Sequence, residues 1–348
     1  MGTRRARVRA QLLSDTRPSA FAGTVGQVVS AVVGIQAQDL PSAALSIRAR
    51  LPATTRADVW SAPLVLTWTL RGTRHLHHRH DAVWLVGLLG PAFNRPGGAR
   101  ARQLGIAGRV GDTAVEVLRE AVADGGSLTR REVKDRLAAH GVDPSGQAAI
   151  HLVRRAALEG VLAIVPGTEE RYVALAGRAG GAGAALDPAA AAAALARRYL
   201  SAFGPATASD FAAWSGLGAD AVRQAWSAVG QAWGEVADPP VAPDVATDVV
   251  PDRSVGVRLL PAFDTFLLGY RDRRLHLAAE HRRMVNAGGG MVRPTLLIDG
   301  RVEGTWSHQR DVVEVSPFRP LTASEAAAVD LEVEAVGRFL RPDPIPRT

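Results

Sequence analysis

The chain has 348 residues, 47% of them hydrophobic, enough for two or three units with sizeable cores. It contains no cysteine and a single lysine, Lys134, which excludes disulfides and thiolate chemistry and leaves few amines for covalent catalysis. The net charge of +7, carried almost wholly by arginine, favours a polyanionic partner, and no apolar run reaches the roughly 18 residues of a membrane span.

The first residues, Met1-Gly2-Thr3-Arg4-Arg5, lack the apolar core of a secretory signal, so a cytoplasmic protein is expected. Helices are predicted over 7–13, 25–34 and 42–51. Between the last two lies Gly34-Ile35-Gln36-Ala37-Gln38-Asp39. If this run ends a helix or begins a strand, both glutamine amides can point into one pocket. Asp39-Leu40-Pro41-Ser42 reads as a helix N-cap with proline in the first turn, and a general base is the other reading of Asp39. Strands at 64–70 and 74–79 flank the turn Arg71-Gly72-Thr73, and Asp81 is expected to open a helix over 82–89. Residues 94–108 form a Pro/Gly/Arg-rich connection.

The middle of the chain gives the clearest pattern. Periodic helices cover 113–123, capped by Asp112, then 129–139, ended by Gly141, then 145–159, stopped by Gly160. Strands at Leu162–Val165 and 172–175 follow, joined by a turn at 166–169. That order predicts a winged helix, with its third helix available to a DNA groove. Arg154 and Arg155 lie on that helix, set against apolar Ile150, Val153 and Leu158. A Gly/Ala-rich linker spans 177–187. A further copy is predicted from helices at 189–201, 207–214 and 219–229, with a wing starting over 231–236. The C-terminal part is mixed. Val257–Leu260 is a strand, Asp299-Gly300 is a hairpin turn between 295–298 and 301–306, and Ala323–Leu340 is a helix capped by Thr322 with Glu325. The predicted domains are 1–93, 112–176 and 188–254, each a winged helix, with a connection at 94–111 and a β-rich region at 255–348.

His75, His77, His78 and His80 alternate along one predicted strand. Two per face is too few for a zinc site without a third ligand elsewhere, so no metal is assigned. Contact with phosphate or base, or packing within a strand, remain the readings of this cluster.

Several segments together resemble a known family. Gln36-Ala37-Gln38-Asp39 is similar to the paired-glutamine motif of the AlkZ-like branch of bacterial winged-helix DNA glycosylases. Trp68-Thr69-Leu70-Arg71-Gly72-Thr73-Arg74-His75 resembles the hairpin of that family's first domain. Leu260-Pro261-Ala262-Phe263-Asp264, then Leu268-Gly269-Tyr270-Arg271-Asp272-Arg273, then Arg293-Pro294-Thr295 through Trp306, resemble its C-terminal signature. The related YcaQ-like branch is expected to carry Asp where this chain has Gln38. The resemblance implies an α+β fold: three tandem winged-helix domains and a β-rich C-terminal region forming a concave DNA-binding surface. It implies removal of alkylated purines from double-stranded DNA and, in some members, of bulky adducts or interstrand crosslinks. It also implies a strand more apolar after His75 than the one present.

The chemistry follows from the residue types. An N7-alkylated purine is cationic and leaves without protonation, while the sugar develops oxocarbenium character. Such an enzyme needs chiefly to hold a water beside C1′. The amides of Gln36 and Gln38 can accept that water's hydrogens without repelling a cationic base. The scarcity of lysine favours a monofunctional, water-using enzyme without a cofactor. Expected DNA contacts are Arg71, Arg74, His75, Arg154, Arg155, Tyr270, Arg271 and Arg273. Arg271 has a second reading as the ion-pair partner of Asp264 or Asp272, and Trp68 and Trp306 read as core. A monomer is expected. The competing functions are a winged-helix regulator without activity and a protein-binding scaffold.

Overall fold

The computed structural model describes residues 2–14, 23–95, 98–167, 169–176, 187–233 and 256–341. The chain opens with α1 (Thr3–Ala10), α2 (Val25–Ala31), β1 (Ile35–Gln36), α3 (Leu40–Arg50) and α4 (Arg56–Ser61). It continues through β2 (Leu64–Trp68), β3 (Arg74–His78), α5 (Arg79–Phe93), α6 (Ala99–Gln103), α7 (Arg109–Ala123), β4 (Ser127–Leu128), α8 (Arg130–Ala139), α9 (Ala148–Leu158), β5 (Leu162–Val165) and β6 (Arg171–Ala174). Three helices follow: α10 (Pro188–Phe203), α11 (Ala208–Ser215) and α12 (Ala219–Trp233). The C-terminal part holds β7 (Val257–Leu260), α13 (Thr265–Leu268), α14 (Arg282–Val285), β8 (Asn286–Gly288), β9 (Met291–Val292), β10 (Thr295–Ile298), β11 (Arg301–Gln309), β12 (Val312–Pro317) and α15 (Ala323–Leu340). Among the described residues, no helix is long and apolar enough to cross a membrane.

Local signals set many of these boundaries. Thr322 forms the expected reciprocal capping box with Glu325, and Thr129, expected as the first residue of its helix, instead caps it in a second box with Glu132. Asp112 departs from expectation. It sits inside the first turn of α7, which Gly108 caps, and its carboxylate pairs with Arg155 instead. The linker expected at 177–187 lies outside the described residues except for Asp187. So does the rest of the wing expected over 231–236, beyond Trp233 at the end of α12.

Contacts group the chain into two compact units that cut across the boundaries read in sequence order. One comprises Met1–Ala62, Ala193–Trp214 and Val222–Thr348; the other comprises Pro63–Ala192 and Ser215–Ala221. The hairpin at Leu64–His78 therefore belongs with the middle segment. The reason is strand pairing: Leu66 on β2 lies opposite Ile164 on β5, which extends the second hairpin into one sheet. In this unit the strands run β3-β2-β5-β6-β4, all antiparallel. Val65, Ala82, Val86, Ala163 and Leu175 form a core beneath it.

The other unit is built on the antiparallel sheet β12-β11-β10-β7. Leu260, Phe266, Leu277, Leu297 and Val302 pack with Ala49 of α3 in its core. Trp306 is buried there and its Nε1 donates to Leu260 O at 2.8 Å, the core role expected of it. The β10–β11 turn is Asp299-Gly300, with φ of 46° and 77°. A Cβ at Gly300 would lie 2.6 Å from Val8 Cγ2, so conformation and space both require glycine.

His276 is buried between Phe266 and Tyr270, and its Nδ1 bonds Gly300 O at 2.8 Å. Burial is the main force that pulls its pKa from 6.5 down to about 4, with Arg7 and Arg4 adding repulsion against the Gly300 bond. The native state thus resists a proton that the unfolded chain takes up near pH 6.5. The stability from this site is full above that pH and is lost as pH falls towards 4. The loss is on the order of 3 kcal/mol. Urea midpoints taken from pH 7 to 4.5 should fall accordingly. A midpoint that stays flat over that range would contradict it.

Candidate active site

The paired glutamines sit between α2 and α3. Helix α2 ends in a Schellman arrangement: Gly34 N–H donates to Val29 O at 2.8 Å and Val33 N–H to Ser30 O at 3.0 Å. This puts Val33, a β-branched residue, in the left-handed region at φ 59°. That conformation costs on the order of 1–3 kcal/mol, held here immediately before the glutamines. Arg198 Nη2 also donates to Ser30 O at 2.7 Å, capping the same helix end.

The chain then runs briefly extended through Ile35 and Gln36 before turning into α3. Gln36 is buried and Gln38 is exposed, with Ala37 buried between them. Asp39 caps α3, its Oδ2 accepting from Ser42 N–H at 2.9 Å. Of its two readings the cap is the one realised: the carboxylate serves the helix start.

Helix α3 is fixed by charges the sequence reading missed. Arg50 is fully buried and grips Asp264 through both ends of its fork, Nη1 to Oδ2 at 2.8 Å and Nη2 to Oδ1 at 2.9 Å. Ser46 Oγ donates to the same carboxylate at 2.5 Å, and Gln11 Oε1 and Thr265 Oγ1 accept from Arg50 at 2.9 Å each. Asp264 also caps α13 through Phe266 N–H. Burial alone would raise the pKa of Asp264, but Arg50 and these hydrogen bonds outweigh it and hold it below the usual carboxylate range. Two residues earlier, Arg48 Nη1 donates to Glu332 of α15 at 2.6 Å, and Glu332 accepts from Leu259 N–H as well. The segment Leu260-Pro261-Ala262-Phe263-Asp264 thus holds the helix that follows the glutamines. Two arginines in the last turn of an otherwise small, apolar helix were the available signal.

Tyr270 is a correction. It is buried, its hydroxyl donates to Phe203 O at 3.0 Å, and the Arg7 guanidinium lies 3.8 Å from its ring centroid. It packs in an aromatic cluster with Phe203 and Phe266, inside its unit rather than on the surface where a DNA contact was expected. Arg271 is exposed. Its backbone N–H is anchored on Asp210 Oδ1 at 2.9 Å, and among the described residues its guanidinium bonds none. The ion pairs once open to it are taken: Asp264 pairs with Arg50 and Asp272 with Arg274. Arg273 is half-buried and reaches Asn286 Oδ1 at 3.3 Å. Asn286 opens the hairpin β8–β9, whose tip is Gly288-Gly289-Gly290 and which carries exposed Met291. From His281 to Thr295 the sequence has Arg282, Arg283 and Arg293 and no acid, a basic element the sequence reading passed over.

The remaining expected contacts belong to the other unit. His75 is a second correction. It is buried and stacks on His77 with ring centroids 5.8 Å apart, and its Nδ1 bonds Thr73 O. Burial, then repulsion from Arg71 and His77, pushes its pKa well below 6.5, so it is a neutral packing residue. His77 Nε2 bonds Thr69 Oγ1 at 2.8 Å. One ring nitrogen of each of these two buried histidines is thus held within the hairpin itself. Among the described residues no group of three or more His, Cys, Asp or Glu could hold a metal. Trp68 is buried, as expected, and faces Arg74 across the strands. Arg74 also pairs with Glu170 at 2.7 Å. Arg71 occupies the hairpin turn in a left-handed conformation at φ 55°. Arg155 is held by both Asp112 and Glu159. Arg154 is half-buried and its described bond is a long one to Phe93 O, 3.4 Å.

The family profile described as "DNA glycosylase AlkZ-like" matches residues 29–339, from just before the glutamines to the end of the last helix. The chain belongs to the AlkZ-like DNA glycosylase family. It is accordingly a DNA glycosylase, a hydrolase of N-glycosidic bonds. The chain is 30% identical to the interstrand DNA cross-link repair glycosylase of Streptomyces sahachiroi, over 95% of this chain and 94% of that protein. Its structure is similar to that of the Streptomyces sahachiroi DNA glycosylase AlkZ, with a TM-score of 0.80, 28% identity, and coverage of 97% of this chain and 96% of the other. The matched residues include the glutamines, the Arg50–Asp264 pair and the β8–β9 hairpin alike.

Proposed function

We propose that this DNA glycosylase is monofunctional and removes N7-substituted purines from duplex DNA, including those in interstrand crosslinks, with Gln36 and Gln38 holding the attacking water. The carrying observation is the pair itself: one amide buried, one exposed, placed by a strained helix end and the clamped helix α3. A buried amide is fixed by its surroundings, and an exposed one beside it can meet substrate. A cationic base needs no acid to leave, so two neutral amides suffice to orient water against the developing sugar cation. The crosslink repair named for the Streptomyces sahachiroi relative supports the wider substrate range.

The same reading keeps the winged-helix repeats expected at 1–93, 112–176 and 188–254, the last of which lies outside the described residues beyond Trp233. In its support, 109–174 runs helix, edge strand, helix, helix, hairpin. Arg71, Arg271 and Arg273 are the contacts it assigns to the DNA backbone. Affinity for undamaged duplex should then fall by one or more decades between roughly 50 and 200 mM salt. A flat salt dependence would favour a protein-binding scaffold.

The product tests the mechanism. Lys134 lies on α8, in the unit that does not contain the glutamines. With water as nucleophile, borohydride should trap no protein–DNA adduct, and Lys134→Ala should keep full activity. An N-terminal tag closes the remaining route through the terminal amine. A trapped adduct that disappears in Lys134→Ala would replace the water mechanism with a Schiff base.

A further inference from the structure

A cleft of about 510 Å³ opens in the unit of residues 63–192, between the end of α5, the short α6 and one face of α9. Its walls carry Arg95, Arg100, His151, Arg154 and Arg155, and no Asp or Glu is among its described lining residues. The five cationic or titratable groups are not equivalent. Arg155 is neutralised by Asp112 and Glu159 and is part of the wall, packed against Gly111, where a Cβ would meet its guanidinium. Among the described residues Arg100 bonds only neutral partners, Gln103 Oε1 at 2.6 Å and Gln147 Oε1, so no carboxylate there compensates its charge. Arg154 is half-buried with no carboxylate among its described partners, and its weak bond to Phe93 O leaves most of its fork open. Burial pulls its pKa below the usual arginine value, the sign of a cation short of a counter-charge.

His151 reports the same field. Burial, then Arg100 and Arg154, push its pKa below 6.5. The face of α9 bearing His151 and Arg154 is thus turned into a cleft rather than presented on an open helix surface. A concave site with no acid among its described lining residues, and with two arginines that have no carboxylate among their described partners, suits a compact multi-oxygen anion. Among such anions, the reading of the chain as a DNA glycosylase, on which this rests, selects phosphate. We propose that this cleft is a phosphate-binding pocket, in which Arg100 and Arg154, with Arg95 at the rim, hold a phosphate group of the DNA substrate.

The full-length protein serves for the test, read on the His151 ring resonance, assigned by His151→Gln. Inorganic phosphate should shift that resonance and raise the apparent pKa of His151, because a bound anion cancels the arginine repulsion. Arg154→Gln should weaken phosphate binding about tenfold. Arg100→Gln, at an exposed position, should weaken it without risk to the fold, while the exposed Arg131→Gln should not. A sealed circular duplex that competes with phosphate supports the pocket with an internal phosphodiester as its source. Competition only by linear duplex with 5′-phosphates supports it with a strand end as the source. A His151 resonance unmoved by phosphate and by both DNAs overturns the proposal. Excision of alkylated purines is scored separately: if it persists while His151 does not respond, only the pocket fails. Phosphate binding without excision would leave the pocket and remove the glycosylase reading.

Discussion

Gln38→Ala is expected to abolish base excision while leaving affinity for duplex DNA within about threefold, because an amide that places water acts in the transition state and not in ground-state binding. Gln38 is exposed and lies outside the core, so its truncation leaves the fold intact and the loss is readable as chemistry. Gln36→Ala should lose activity too, with a stability cost that Gln38→Ala lacks, since Gln36 is buried. Single-turnover excision on an alkylated duplex is the measurement. Full activity in Gln38→Ala would remove this residue from the mechanism.

The second large effect is expected far from the glutamines in sequence. Asp264→Ala leaves the Arg50 guanidinium buried without a counter-charge. Such a loss costs about 3–5 kcal/mol, a large share of the roughly 5–15 kcal/mol that holds a domain together. It also frees α3, so excision should fall together with stability. Urea denaturation of Asp264→Ala against the parent chain tests it. A change under about 1 kcal/mol would mean that water or a shifted side chain replaces Asp264. Replacing both partners with apolar residues, Arg50→Met with Asp264→Leu, should recover much of the stability, because no buried charge then remains.

These two sites mark what the sequence makes legible. Asp39 with Pro41, Thr129 with Glu132 and Thr322 with Glu325 are local devices, complete within four residues, and the helices start where they point. Asp299-Gly300 turns where its dihedral needs require. Partner choice across long separations has no such local mark. Arg50 and Asp264 are 214 residues apart, and nothing near either says which charge it meets. The same gap explains Tyr270 and Arg155. Each lies in a motif with a plausible outward reading, and each is claimed by neighbours that only the folded chain supplies: Phe203 and Arg7 for one, Asp112 and Glu159 for the other. Asp112 is no cap because α7 begins three residues before it, behind Gly108, which leaves its carboxylate to pair with Arg155. The hairpin at Leu64–His78 was legible as a hairpin, but not its pairing with β5, which moves it into the middle unit.

The central claim is hydrolysis of an alkylated purine by water held at the glutamine pair. It is tested most directly with a duplex carrying one N7-methylguanine, incubated with the parent chain and with Gln36→Ala/Gln38→Ala. The parent chain should release free N7-methylguanine and leave an unbroken strand that is cut only on later treatment with alkali, and the double variant should release none. No release by the parent chain, or equal release by both proteins, would contradict the account.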